Sequence, residues 1–126
     1  MFPAVLQVAL GGAIGATLRY LASLWVARML GQTPFPVAIL AVNVAGCFAM
    51  GLFIGAAAQR GLAHLSPLVA TGFLGGFTTF SAFSLEAVTL WERGDVGGAT
   101  LYVALSVGLS ILALAAGLWI ARGAFA

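Results

Sequence analysis

The chain has 126 residues, 63% hydrophobic and 6% charged, with a formal net charge of +2. Soluble domains carry about 25% charged residues, so a soluble domain is excluded. The charges are Arg19, Arg28, Arg60, Arg93 and Arg122 against Glu86, Glu92 and Asp95, too scattered for the basic patch that nucleic-acid binding requires.

Three runs carry no charge: 29–59, 61–85 and 96–121. Each exceeds the roughly 20 apolar residues needed to span a bilayer. A fourth, 1–27, is broken only by Arg19. The sequence therefore predicts an all-α integral membrane protein, one transmembrane domain over residues 1–126. Its helices are placed at about 3–30, 36–59, 66–91 and 96–121. The first run is too long for the apolar part of a signal peptide and lacks a basic flank, so it reads as a retained helix.

In the first helix, Gly11, Gly12 and Gly15 form a small-residue face where a second helix approaches closely. Arg19 follows at a depth where a charge costs several kcal/mol, from about 2.5 upward. It either snorkels to the interface along its stem or faces a water-filled cavity, where a cation suggests an anion nearby. Gly31-Gln32-Thr33-Pro34-Phe35-Pro36 is a turn by its glycine and prolines. The second helix holds one strongly polar residue, Asn43. It either bonds another helix, worth about 1 kcal/mol, or directs an amide donor toward an ion. Cys47, alone in the sequence, reads as a small packing residue. His64, in the short loop after this helix, reads as a surface residue.

The third helix contains GFLGGFTTFSAFSLE, residues 72–86. Glycines come first, then hydroxyls interleaved with phenylalanines, then Glu86. That mixture is costly in hydrocarbon unless it is buried in protein or lines a pathway. Gly75-Gly76 followed by Thr78-Thr79 is poor helix material, and a break is predicted near 75–79. Such a break exposes carbonyls suited to a cation and amides suited to an anion. In the fourth helix Tyr102, Ser106 and Ser110 stand at i, i+4 and i+8 and share one face, which is expected to meet protein or a pore.

With four spans, Arg60 and Arg122 fall on one side of the membrane and Arg28 and Arg93 on the other. The positive-inside rule then gives almost no orientation signal. Four short helices do not easily enclose a conduit alone, which points to an oligomer, most simply a dimer, antiparallel if both orientations are made.

GGAIGATLRY (11–20), NVAGCFAMG (43–51) and GFLGGFTTFSAFSLE (72–86) resemble the Fluc, or CrcB-type, fluoride channels of bacteria. The resemblance covers the whole chain. It implies an antiparallel, dual-topology homodimer in the cytoplasmic (inner) membrane that passively exports fluoride. It also implies a structural sodium ion at the dimer centre, held by backbone carbonyls of Gly75 and Thr78. The family's phenylalanine box falls on Phe80 and Phe83, its vestibule residues on Arg19 and Asn43, its polar track on Tyr102, Ser106 and Ser110, and its closing carboxylate on Glu86. Ala82 departs from the family, in which a hydroxyl residue is common there.

Fluoride is strongly hydrated, so a pore must replace its water with donors. The hydroxyls of Ser106, Ser110 and Ser81 and the Asn43 amide supply them. Phenyl rings have a positive edge, so Phe80 and Phe83 face an anion without trapping it, and Arg19 raises the local anion concentration. Two other readings compete. A small dual-topology multidrug or cation exporter needs an intramembrane carboxylate, for which Glu86 is the candidate. A non-transporting scaffold subunit needs no polar track. One histidine, one cysteine and three acids give no catalytic arrangement, so no enzyme is expected.

Overall fold

The computed structural model describes residues 3–31 and 33–124; Gln32, in the predicted turn, lies outside the described residues. Four helical spans are long and apolar enough to cross a membrane. They are α1 (Ala4–Leu30), α2 (Val37–Arg60), an interrupted third span, and α5 (Val96–Ala124). The third span opens with a 3₁₀ turn (Ala63–Leu65) and a π-wound segment (Pro67–Leu74). One α-turn follows, α3 (Gly75–Phe77), and the span resumes as α4 (Phe80–Glu92).

Large apolar side chains cover the outside of the helices. Val5, Trp25 and Trp119 are among the most exposed. A helix apolar on all sides belongs in lipid, and this outer surface suits acyl chains. Between helices, lipid offers no hydrophobic driving force, so association rests on close van der Waals packing. Two helix pairs achieve it through glycine.

In the first pair, Gly11 and Gly15 of α1 face the backbone of Leu68, Gly72 and Phe73. Gly76 of α3 faces Gly12, where a Cβ would lie 2.8 Å from the carbonyl oxygen. In the second pair, Gly51 of α2 faces the Leu114 carbonyl, Gly117 of α5 faces the Phe48 carbonyl, and Gly55 faces Ala121. Within each pair the residue numbers rise together, so the packed segments run parallel. The α1 N-terminus therefore shares a side with the start of the third span, and the ends of α2 and α5 share a side.

The third span changes partner at its break. Its first half lies along α1, whereas α4 packs on α5 through a buried cluster of Phe83, Leu90, Ala99 and Tyr102, with Phe35 and Ile39 of the α2 entry against it. The break lies within the predicted interval, but its residues are the threonines. Thr78 (φ −81°, ψ 156°) and Thr79 (φ −150°, ψ 117°) are extended, while Gly75 is helical (φ −64°, ψ −34°). The glycines serve close approach, and the β-branched threonines take the extended conformation they favour. The π winding ahead of the break was not foreseen from the sequence. There the Gly75 N–H reaches back to the Ala70 carbonyl, and such winding is frequent at functional sites.

The loops are held by specific bonds. Gly61 closes α2 in the left-handed conformation (φ 67°), its N–H on the Ala57 carbonyl. The Asp95 carboxylate accepts from the Gly98 N–H at 2.8 Å at the start of α5, and Arg93 donates to the Pro34 carbonyl at 2.9 Å. His64 lies exposed on the 3₁₀ turn.

Adding a side chain at the glycine contacts should force the helices apart. Gly51→Leu or Gly15→Val is expected to destabilise the protein by about 1–3 kcal/mol or more, as overpacking does. Gly97→Ala, with open space around the added methyl, should be nearly neutral. Thermal unfolding in detergent, followed by size exclusion, reads the difference.

Candidate ion pathway at the helix break

A helix break leaves backbone donors and acceptors that lipid cannot satisfy. Side chains take up that role here. Asn43 of α2 faces Thr79 and bonds it in both directions. Its Nδ2 donates to the Thr79 carbonyl at 3.0 Å, and its Oδ1 accepts the Thr79 N–H at 2.8 Å. Thr79 caps α4, its Oγ1 accepting the Ala82 N–H at 3.2 Å and lying 3.2 Å from Ser81 Oγ. From α1, Arg19 Nε donates to the Gly76 carbonyl at 3.1 Å. The last turn before the break closes on the Leu74 carbonyl, which accepts both the N–H and the Oγ1–H of Thr78, each at 3.0 Å.

These bonds redirect the donors that a continuous helix would aim at two carbonyls. The Thr79 N–H, which would serve Gly75, goes to Asn43. The Ala82 N–H, which would serve Thr78, goes to Thr79 Oγ1. The break therefore presents the Gly75 and Thr78 carbonyls without their helical partners. Carbonyl oxygens are hard ligands of the kind that suit a hard cation. Among the described residues no cluster of three or more His, Cys, Asp or Glu is placed to hold a metal.

Beside the break lies an open groove of about 320 Å³. Asn43 and Cys47 of α2, Thr78 and Thr79 of the break, Phe80 and Phe83 of α4, and Ser106 and Ser110 of α5 line it. The rings of Phe80 and Phe83 are 5.4 Å apart and tilted by 53°. Phe80 is 77% exposed and Phe83 9%. Ser106 is 6% exposed, and its hydroxyl oxygen is itself covered. Phe35 meets Tyr102 edge-on at 5.6 Å, and Phe83 meets the same ring at 5.4 Å.

The residues singled out from the sequence thus fall into separate places. Asn43, Phe80, Phe83, Ser106 and Ser110 converge on the groove. Tyr102 is fully buried behind Phe83 rather than on the groove wall. Ser81 is exposed and bonded back to Thr79. Glu86 lines a different concavity, of about 250 Å³, between the end of α1 and the start of α2, with Ala27, Phe35 and Ile39 among its neighbours. Arg19 ties α1 to the first side of the break. Cys47, read from sequence as packing, lines the groove. Its spacing of four residues from Asn43 was the signal that placed it there.

Removing the Asn43 amide should unseat the break. Asn43→Leu leaves both backbone groups of Thr79 unpaired, at about 1–3 kcal/mol each. The expected result is a loss of several degrees in unfolding temperature. Asn43→Gln, which keeps an amide donor and acceptor, should lose less.

A family model described as CrcB-like protein, Camphor Resistance (CrcB), matches residues 6–118. The chain is 64% identical over 122 residues to a protein of Roseobacter denitrificans named fluoride-specific ion channel FluC, covering 96% of this chain and 97% of that one. It is 63% identical over 123 residues to the protein of that name from Ruegeria, covering 98% of each chain. To the one from Paracoccus denitrificans it is 54% identical over 122 residues, covering 96% of each. With four spans long and apolar enough to cross a membrane and this match across nearly all of its residues, the chain is a multi-pass integral membrane protein that belongs to the CrcB-like family.

Proposed function

We propose that the protein is a fluoride-selective channel that lets fluoride leave the bacterial cell passively across the inner membrane. The observation that carries this reading is the groove at the break. It sets Asn43, Ser106 and Ser110 beside two phenyl rings and holds no charged side chain. Hydroxyl donors replace the water that fluoride sheds, and ring edges offer weak positive potential. Conduction needs binding weak enough for release, and a groove without arginine or lysine meets that need. The relatives named as fluoride-specific channels support the choice of anion.

The working unit in this reading is an antiparallel homodimer assembled from both membrane orientations. The groove is open on one side, and Phe80 at its edge is 77% exposed. An ion route open to hydrocarbon would carry a prohibitive desolvation penalty, so a second copy is the natural missing wall. The two-against-two distribution of Arg28 and Arg93 against Arg60 and Arg122 fits insertion in both orientations. A structural sodium ion at the dimer centre fits the Gly75 and Thr78 carbonyls, whose helical donors are diverted by Asn43 and Thr79. When bound, the ion would join the two breaks electrostatically.

Cation export is less consistent with this site. A coupled exporter needs its carboxylate on the transport route, and Glu86 lines a separate concavity.

Pure protein in proteoliposomes should release fluoride rapidly while chloride is retained, as read by ion-selective electrodes. Phe80→Ile or Phe83→Ile should lower fluoride efflux by about tenfold or more, because an alkyl side chain has no positive edge, with the dimer peak on size exclusion retained. Trapped fluoride in well-folded protein would sink the channel reading.

A further inference from the structure

We propose that the end of α5 holds the headgroup of an anionic phospholipid, with Arg122 on its phosphate, Arg60 of α2 adding a second positive charge and Trp119 beside it. The inference rests on the membrane placement of the chain and not on which ion it carries.

The charges of the sequence are divided between the two ends of the bundle. α1 and the third span begin, and α2 and α5 finish, at one end. Arg60 and Arg122 lie there, with His64 on the turn that follows α2. The sequence has three acids, Glu86, Glu92 and Asp95. Glu86 lines the concavity with Leu30 and Pro36, and Glu92 and Asp95 stand where α4 turns into α5. All three are therefore at the opposite end, in company with Arg28 and Arg93. The end that carries Arg60 and Arg122 has no acidic side chain to offset them.

Glycine packing brings these two arginines to one depth. A Cβ on Gly55 of α2 would run into the Ala121 methyl of α5. Arg60 lies five residues beyond Gly55 and Arg122 one beyond Ala121. At about 1.5 Å per residue, the two stand within roughly 6 Å of one another in depth. Both are exposed.

The surface around Arg122 is shaped to receive a guest. An open concavity of about 410 Å³ is lined by Trp119, Ile120, Arg122 and Gly123. A Cβ on Gly123 would meet no described atom within 4 Å, so the space beside Arg122 is free. Trp119, three residues before Arg122 and on the same helix face, is 78% exposed. An indole at this position sits at headgroup level, and Ile120 gives the acyl chains an apolar floor. The planar guanidinium bonds phosphate through two parallel N–H donors. Basic pockets at helix ends take anionic headgroups in this way. A zwitterionic lipid brings its own cation, which two arginines repel, whereas an anionic one complements their charge.

The test uses the full chain with Trp25→Phe and Trp91→Phe, which leaves Trp119 as its one tryptophan. The protein is placed in phosphatidylcholine vesicles containing a minor share of lipid brominated near the top of its acyl chains, either phosphatidylglycerol or phosphatidylcholine. Bromine quenches an indole it touches, so Trp119 fluorescence reports which lipid sits beside it. The expected result is phosphatidylglycerol enriched at Trp119 by about fivefold or more over its bulk share, the size that one basic residue near a membrane surface supports. Arg60→Gln with Arg122→Gln should bring that ratio near one, and Arg60→Lys with Arg122→Lys should keep most of it. Arg28→Gln, at the other end, should leave it unchanged. Each variant is compared at the elution volume of the parent, and if the glutamine pair does not elute there, Arg122→Gln alone should halve the ratio or better. Equal quenching by the two lipids overturns the inference, as does a preference that survives loss of the arginines. A preference abolished by millimolar inorganic phosphate at constant ionic strength would make free phosphate the ligand and overturn the assignment to lipid.

Discussion

The two-way bond between Asn43 and Thr79 is the interaction on which the rest of this structure depends. A transmembrane helix satisfies its own backbone, and lipid satisfies none of it. Interrupting the third span at Thr78 and Thr79 therefore creates a debt of donors and acceptors in the least forgiving part of the fold. The amide of Asn43 can both donate and accept at a single position, and it does both on Thr79. Arg19 takes the Gly76 carbonyl from the α1 side. The break is thus braced from two helices, and neither brace needs an ionised partner. Arg19 at this depth has its stem in apolar surroundings and one of its donors on a carbonyl, which offsets part of the cost of placing a charge there.

Close packing makes that bracing possible. Asn43 and Arg19 reach the break because the backbones around it nearly touch. Gly12 and Gly76 bring α1 against α3, and Gly46 brings α2 against Thr78. Replace these glycines in thought by larger residues, and the polar side chains could no longer span the gap. The small residues of the sequence and its few polar ones therefore act together. The former set the distance, and the latter use it.

This division of labour explains what could be read from the sequence and what could not. The four spans were legible because charge is excluded from long runs, a one-dimensional property. The interval of the break was legible because glycines and hydroxyls cluster there. The residue that breaks was less so: glycines and threonines were read together as poor helix material, but Gly76 packs on Gly12 of α1 and stays with Gly75 in a helical turn, and the interruption falls on the threonines. Asn43 carried two open readings, and in this chain its amide is bonded to the backbone of the break. The π winding of Pro67–Leu74 has no signature in the periodicity of an all-apolar stretch. The separation of Glu86 from the groove was hidden too, since it depends on how α4 rotates after the break. Cys47 was missed because a lone cysteine in an apolar run looks like packing until the orientation of its helix is known.

Thr79 also joins the two chemistries that meet at the break. Its N–H, by going to Asn43, leaves the Gly75 carbonyl without its helical donor, and its Oγ1, by capping Ala82, does the same for Thr78. Its neighbour Phe80 opens α4 at the edge of the groove, one turn from Phe83. The bonds that divert those donors therefore sit directly ahead of the helix that carries the rings. In the proposed channel, a cation-binding centre and an anion route would not need separate scaffolds, because one extended dipeptide would set both. It follows that a change at Thr79 or Asn43 acts on the carbonyl cluster and the groove together, whereas a change at Ser106 or Ser110, carried by α5, acts on the groove alone.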